Sequence, residues 1–373
     1  MNITMRVVLS VSVILAFLIG CDRASEPGKP VPTTQPAAMG RDAARPAGKQ
    51  VNVYMYSEYI DPQILKSFEE ESGLRVLLDV YESTEEMQAK LQQAGGDRQY
   101  DVVVVSDHAI PVLAKLELIQ PLPADKIPNR VNVVERFQNP SYDPGSKYSL
   151  PYQWGTMGLI YRKDKAPQLD PSWAVLFETD KQPGPFVLID SVRDMIAAAL
   201  KYQGHSINTR NPEQLKAAGE LILKAKKSPK MVAFEGGVGG KNKVASGDAT
   251  LAIVYNGDAI RALDEDPNLD FVVPREGTLI WVDAMTVPAH APNLEGACKF
   301  INYILDAKIG AQLSNFNRYA TPNAKSLPMI EAKDRENPRI YPSEERMAKM
   351  EYLEDLGGDT QLYDEIWTAV KSR

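Results

Sequence analysis

Apolar and polar positions follow two rhythms along this chain, and the switches between them mark its elements. Val51-Asn52-Val53-Tyr54-Met55-Tyr56 is a run of β-prone residues and predicts a strand. Asp61-Pro62 then reads as an N-cap and first helical residue. Ile64, Leu65 and Phe68 recur at helical spacing, so a helix is expected until Gly73 stops it. Arg75 to Val80 (RVLLDV) predicts a second strand. Ser83 and Glu86 are spaced as a capping box, which predicts a helix through Leu91. Asp101 to Val105 (DVVVV) does not alternate, as expected of a parallel strand covered on both faces. Strand, helix, strand, helix, strand defines an open α/β sheet, in which ligands sit beyond the carboxyl ends of the strands. Tyr56-Ser57-Glu58-Tyr59 and Ser106-Asp107-His108 follow the first and third strands, so both are candidate site loops.

A second region repeats the alternation. Pro185 to Asp190 predicts a strand, Val192 to Leu200 and Pro212 to Lys224 predict helices, and Ala249 to Tyr255 predicts another strand, followed by Asn256-Gly257-Asp258. Thr278 to Met285 is a strand carrying Trp281 and Asp283 two positions apart, hence on one face. An indole and an acid sharing a strand face point to a site rather than a core. Asp190, at a strand end before a helix, is expected to be an N-cap. Trp173 is expected in the core, and Cys298 as an inert buried thiol on a helix. Tyr152 and Trp154 fit hinge packing and cleft wall equally well. The glycine-rich Glu235 to Lys241 lacks the leading glycine of a phosphate-binding loop, has Asn242 after its lysine, and has no strand expected before it. It is expected to be a mobile loop.

Composition narrows the classes. The 373 residues are 44% hydrophobic and 24% charged, which is ordinary globular chemistry and long enough for two domains. Lys and Arg number 42 against 49 Asp and Glu, a net charge of −7, which disfavours nucleic acid and suits a cationic ligand. Two cysteines and three scattered histidines leave no disulfide framework and no metal cluster, and no cofactor motif is found. Residues 1–20 have the charge, apolar run and length of a signal peptide, with Arg6 in front of Val7 to Ile19. They end in Leu18-Ile19-Gly20-Cys21, which resembles a bacterial lipobox and implies cleavage before a lipidated Cys21. Asp22 after that cysteine resembles an inner-membrane retention signal. Residues 21–50, with Pro27, Pro30, Pro32, Pro36 and Pro46 among small polar residues, are expected to be a flexible linker.

Taken in order, Tyr56-Ser57-Glu58-Tyr59-Ile60, YESTEEMQAKLQ (81–92), YDVVVVS (100–106), LPYQWGTMGLIY (150–161), YNGD (255–258), WVDAMTVP (281–288), ATPNA (320–324) and NPRIYP (337–342) resemble the periplasmic spermidine/putrescine-binding proteins of polyamine ABC transporters. The resemblance covers essentially all of Val51 to Arg373. It implies a type II periplasmic binding protein: two α/β lobes, a hinge and a central ligand cleft. Lobe 1 would comprise 51–155 plus 281–327, and lobe 2 156–280 plus 328–373. It implies a monomer that captures a polyamine, a putrescine-like diamine above all, and delivers it to an ABC permease, with no cofactor and no catalysis. A lipid on Cys21 would hold it in the periplasm at a membrane, the inner one favoured.

A diamine needs a carboxylate for each ammonium and aromatic walls for its methylenes. The resemblance assigns ligand contacts to Tyr56, Ser57, Glu58, Tyr59, Ser106, Asp194, Tyr255, Asp258, Trp281, Asp283 and Tyr319. The gripping acids are expected to stay ionised at neutral pH. Tyr56 and Tyr255 stand where members usually carry Trp, His108 where some carry an aromatic, and Leu353 where spermidine binders carry Gln. Two other readings remain open: a binder or sensor of another cationic or zwitterionic amine, and a carboxylate-based hydrolase, for which no activated nucleophile is found.

Overall fold

The computed structural model describes residues 49–93 and 95–373. Expectations for 1–48, including signal cleavage and lipidation at Cys21, lie outside them. Gln50, expected in the linker, instead opens the first strand. The chain runs β1 (Gln50–Tyr56), α1 (Pro62–Ser72), β2 (Arg75–Tyr81), α2 (Thr84–Gln92), β3 (Val102–Ser106), α3 (Ile110–Lys115) and β4 (Ile119–Gln120). Local signals set these bounds. Asp61 accepts the Gln63 N–H, and Gly73 ends α1 at φ 68°, a conformation open to glycine without a Cβ clash. Ser83 Oγ accepts the Glu86 N–H at 3.1 Å, while the Glu86 carboxylate accepts from Glu82 rather than Ser83. β1 lies parallel to β2 and β3 with both faces covered: Val51, Val53 and Met55 join Phe68 in one core, and Tyr54 meets Tyr81 and Tyr100 on the other side.

The remaining elements are β5 (Ser149–Arg162), α4 (Ala174–Phe177), β6 (Phe186–Ile189), α5 (Val192–Tyr202), α6 (Pro212–Lys226), β7 (Met231–Glu235), α7 (Gly239–Ala245), β8 (Leu251–Tyr255), α8 (Asn256–Glu265), β9 (Leu269–Val272), β10 (Leu279–Pro288), α9 (Leu294–Ile304), α10 (Ala307–Asn317), β11 (Glu351–Tyr352) and a C-terminal helix, Thr360–Ser372. The sheet order is β2-β1-β3-β10-β5-β8-β6-β7, with β4 and β11 on β10 and β9 on β5. Two parallel groups, β2-β1-β3 and β8-β6-β7, are thus joined through the long antiparallel pair β10–β5. That pair slips by one residue between Asp283 and Ala284, where Tyr152 is the extra residue of β5. Pro151, which has no N–H to give a ladder, sits beside this bulge.

Trp173 is fully buried, its indole N–H on the Gly277 carbonyl at 2.9 Å. Cys298 is buried on α9, and burial pushes its thiol pKa up. Two expectations are corrected and a third is narrowed. The glycine-rich stretch follows a strand, β7, and from Gly239 it is helix α7, because Gly240 lets that helix pack closely against Ala252 and Ile253 of β8. The N-cap of α5 is Ser191, and the Asp190 carboxylate instead holds Lys371 at 2.9 Å. Of the two readings of Tyr152 and Trp154, packing rather than cleft wall holds: both are interior, and the Tyr152 hydroxyl donates to the Tyr59 carbonyl at 2.7 Å.

Candidate functional site

The carboxyl ends of β1, β3, β6, β7 and β8 open on one cavity of about 970 Å³, mouth included. This is the position an open α/β sheet reserves for ligands. Tyr56, Ser57, Glu58, Tyr59, Ser106, Asp194, Tyr255, Asp258, Trp281, Asp283 and Tyr319 all line it, drawn from segments more than 200 positions apart. His108 and Leu353 line it too. Unanticipated wall residues are Arg193 and the β7–α7 turn Gly236-Gly237-Val238.

The acids differ in their partners. Asp283, in the middle of β10 and 6% exposed, accepts the Tyr59 hydroxyl at 2.7 Å and the Ser106 hydroxyl at 2.8 Å. The Tyr56 hydroxyl meets Ser106 at 2.9 Å and Thr84 at 3.0 Å, extending the chain of hydroxyls. Burial raises the Asp283 pKa to about 7; the two hydroxyl bonds oppose this and the neighbouring Asp107 charge adds to it. Full ionisation of Asp283 at neutral pH, expected from the sequence, therefore does not hold. The cause is desolvation by the surrounding protein, which the two hydroxyl bonds and the nearby His108 offset only in part. Asp194 opens α5 and accepts the Tyr255 hydroxyl. Neither Asp283 nor Asp194 forms an ion pair with Lys or Arg among the described residues.

Asp258 and Glu58 are matched already. Asp258, buried in the first turn of α8, accepts Arg261 Nη2 at 2.8 Å and the Tyr319 hydroxyl at 2.8 Å. Glu58 follows β1 with φ 52°, an uncommon conformation for a non-glycine residue. Its carboxylate takes the same Arg261 Nη2 at 3.0 Å and Lys241 Nζ at 3.4 Å. Burial pushes its pKa up, but the Lys241 and Arg261 charges outweigh that and hold it below the usual carboxylate range. Arg193 spends both Nη groups, on the Glu354 carbonyl at 3.1 Å and Asn208 at 2.9 Å.

Aromatic rings connect these groups. Trp281 meets Tyr319 edge to face at 4.9 Å and Tyr255 at 5.9 Å, and Tyr59 meets Tyr319 at 5.7 Å and Tyr56 at 5.9 Å. Two glycines that sequence reasoning passed over make this wall possible. A Cβ at Gly155 would stand 2.5 Å from the Trp281 ring, and one at Gly257 2.5 Å from the Tyr319 ring. The cavity therefore combines acids with apolar ring faces, the chemistry of a cationic ligand with a hydrocarbon body.

A cavity of this kind, at the carboxyl ends of two parallel strand groups, has the makings of a small-solute binding site. The chain belongs to the bacterial extracellular solute-binding protein family, which it matches over residues 63–338. Among individual relatives, it is 35% identical to the putrescine-binding periplasmic protein SpuD of Pseudomonas aeruginosa, over 87% of this chain and 92% of the relative. It is 31% identical to the spermidine/putrescine-binding periplasmic protein of Escherichia coli, over 90% of this chain and 95% of the relative. Of solved structures, the TpPotD lipoprotein of Treponema pallidum superposes with a TM-score of 0.75 at 26% identity, covering 87% of this chain and 99% of that one. The two-lobed fold expected from the sequence is thus the fold of its family.

Proposed function

We propose that this protein captures a putrescine-like diamine outside the cytoplasm and delivers it to an ABC permease. The observation that carries the reading is the pair Asp283 and Asp194, two buried carboxylates that form no ion pair with Lys or Arg among the described residues, on a wall of Tyr56, Tyr59, Tyr255, Trp281 and Tyr319. Each would neutralise one ammonium while the rings cover the methylenes. The names of the relatives support the same ligand class. In this reading 51–155 with 281–327 and 156–280 with 328–373 are the two lobes, which close on the ligand, and the protein is a carrier rather than a catalyst. We further place it in the periplasm, as a monomer held to a membrane, the inner one favoured, by lipid on Cys21. The lipobox-like Leu18-Ile19-Gly20-Cys21 supports the anchor, and no helix of the described residues is long and apolar enough to cross a membrane.

A zwitterionic amine is the second reading, because Arg193 lines the cavity and could meet a ligand carboxylate. Against it, both Arg193 Nη groups already have protein acceptors. Calorimetric titration with putrescine, cadaverine, spermidine, spermine, agmatine and 4-aminobutyrate tests the assignment. Tight binding of the diamines without product formation is expected. Binding of 4-aminobutyrate alone would overturn it.

A further inference from the structure

We infer that Arg261, backed by Lys241, is a specificity-determining residue: it closes one end of the cavity to a third ammonium, so that the site discriminates against triamines. The inference rests on the polyamine reading and adds to it the number of charges the site accepts. Glu58, Asp194, Asp258 and Asp283 all face the cavity and could each hold an ammonium. Arg261 and Lys241 lie behind two of them. Arg261 Nη2 reaches Asp258 at 2.8 Å and Glu58 at 3.0 Å, and Lys241 Nζ reaches Glu58 at 3.4 Å. Two carboxylates therefore face two fixed cations, and that end of the cavity has no net charge to offer. The pairing is tightest at Asp258, which is 8% exposed and whose second oxygen is taken by the Tyr319 hydroxyl at 2.8 Å.

An incoming ammonium there would be desolvated against a carboxylate already neutralised, with a guanidinium immediately behind it. Like charges at that range raise the cost of binding rather than lower it. Asp283 and Asp194 are bonded only by hydroxyls, which orient a carboxylate without cancelling its charge. Among the described residues these two buried acids have no Lys or Arg in ion-pair contact, which leaves one for each end of a diamine. Glu82 and Glu85, at its mouth, are exposed, where water screens a third charge. The left-handed backbone at Glu58 fits the same account, since its side chain is held by cations from two other helices, α7 and α8.

The test is calorimetry of the full chain with putrescine and with spermidine, reading the ratio of the two dissociation constants. Wild type should favour putrescine. Arg261→Gln frees Asp258 and should shift the ratio toward spermidine by about tenfold or more, whereas Arg261→Lys, which keeps the charge, should leave it near wild type. The ratio is the readout because loss of the Glu58 bridge alone would weaken both ligands alike. An unmoved ratio in Arg261→Gln with both ligands still bound, or a wild type that prefers spermidine, overturns the inference and leaves the polyamine assignment standing. If Arg261→Gln lacks a cooperative melt, Lys241→Gln must move the ratio in the same direction, and an unmoved ratio there is equally fatal. A wild type that binds neither amine refutes the polyamine assignment itself.

Discussion

Replacing Asp283 by Asn should separate stability from binding in a way few substitutions do. Burial lifts the Asp283 pKa from 3.8 to about 7. At about 1.4 kcal/mol per pKa unit, its ionised form costs the folded state on the order of 4 kcal/mol. The sign follows from linkage. A carboxyl whose folded pKa is raised is most favourable at low pH, and its contribution is lost as pH rises from about 4 through about 7. Asn carries no charge and escapes that loss. It offers one acceptor oxygen and an N–H donor where two hydroxyls, Tyr59 and Ser106, now donate, so one hydroxyl must turn to accept from the amide, at a cost of about 1–3 kcal/mol at most. The ligand-free variant should therefore match or exceed wild type in thermal stability at pH 8, with the advantage shrinking toward pH 5. Binding should move the opposite way. A buried ammonium left without its counter-charge costs roughly 2–5 kcal/mol, at least about a 30-fold loss of diamine affinity. Differential scanning calorimetry at pH 5 and 8 and titration with putrescine read the two effects. A variant that binds putrescine as tightly as wild type would refute the reasoning, as would a uniform loss of stability at both pH values.

Wild-type affinity for putrescine should strengthen up to about tenfold per pH unit between pH 5 and 7 and then level off, since only ionised Asp283 can pair with an ammonium; the slope should vanish in Asp283→Asn, although Asp107 and His108 remain beside it. Gly155→Ala should drive the Trp281 ring from its seat, because the new Cβ would stand 2.5 Å from Cζ2 and 2.4 Å from Asn256 Oδ1, and lower diamine affinity about tenfold or more with the melt still cooperative; unchanged tryptophan fluorescence and affinity would count against the glycine's role. Cys21→Ala should abolish incorporation of labelled palmitate, because the thiol is the acceptor the lipobox-like motif supplies; equal labelling of the variant would sink that reading.

How far the sequence could be read depended on whether the deciding interaction was local. Asp61, Gly73 and Ser83 act within a few residues, and the helices they delimit stand where expected. Trp281 and Asp283 could be assigned to one face because strand alternation survives up to the bulge that follows them. β7 was missed: Met231–Glu235 is a half-buried strand at the end of the sheet order with no clear alternation, and its glycine-rich continuation carries no helical pattern of its own. Gly240 of α7 lies close against Ala252 and Ile253 of β8, a tertiary contact the local sequence does not announce. The candidate site residues were legible as acids and aromatics, but their charge states were not. Nothing near Glu58 in the chain announces Arg261, and only folding brings the two together. Gly155 and Gly257 have meaning only once Trp281 and Tyr319 are seated against them.

Cys298 has a practical side. Burial leaves it 2% exposed and pushes its thiol pKa up, so it stays protonated and out of reach of thiol reagents. A soluble version of the chain starting beyond Cys21 would behave in labelling chemistry as if it were cysteine-free. A single cysteine placed at Val238, on the rim of the cavity, could then carry an environment-sensitive dye whose emission follows the occupant, turning the protein into an optical gauge for its ligand.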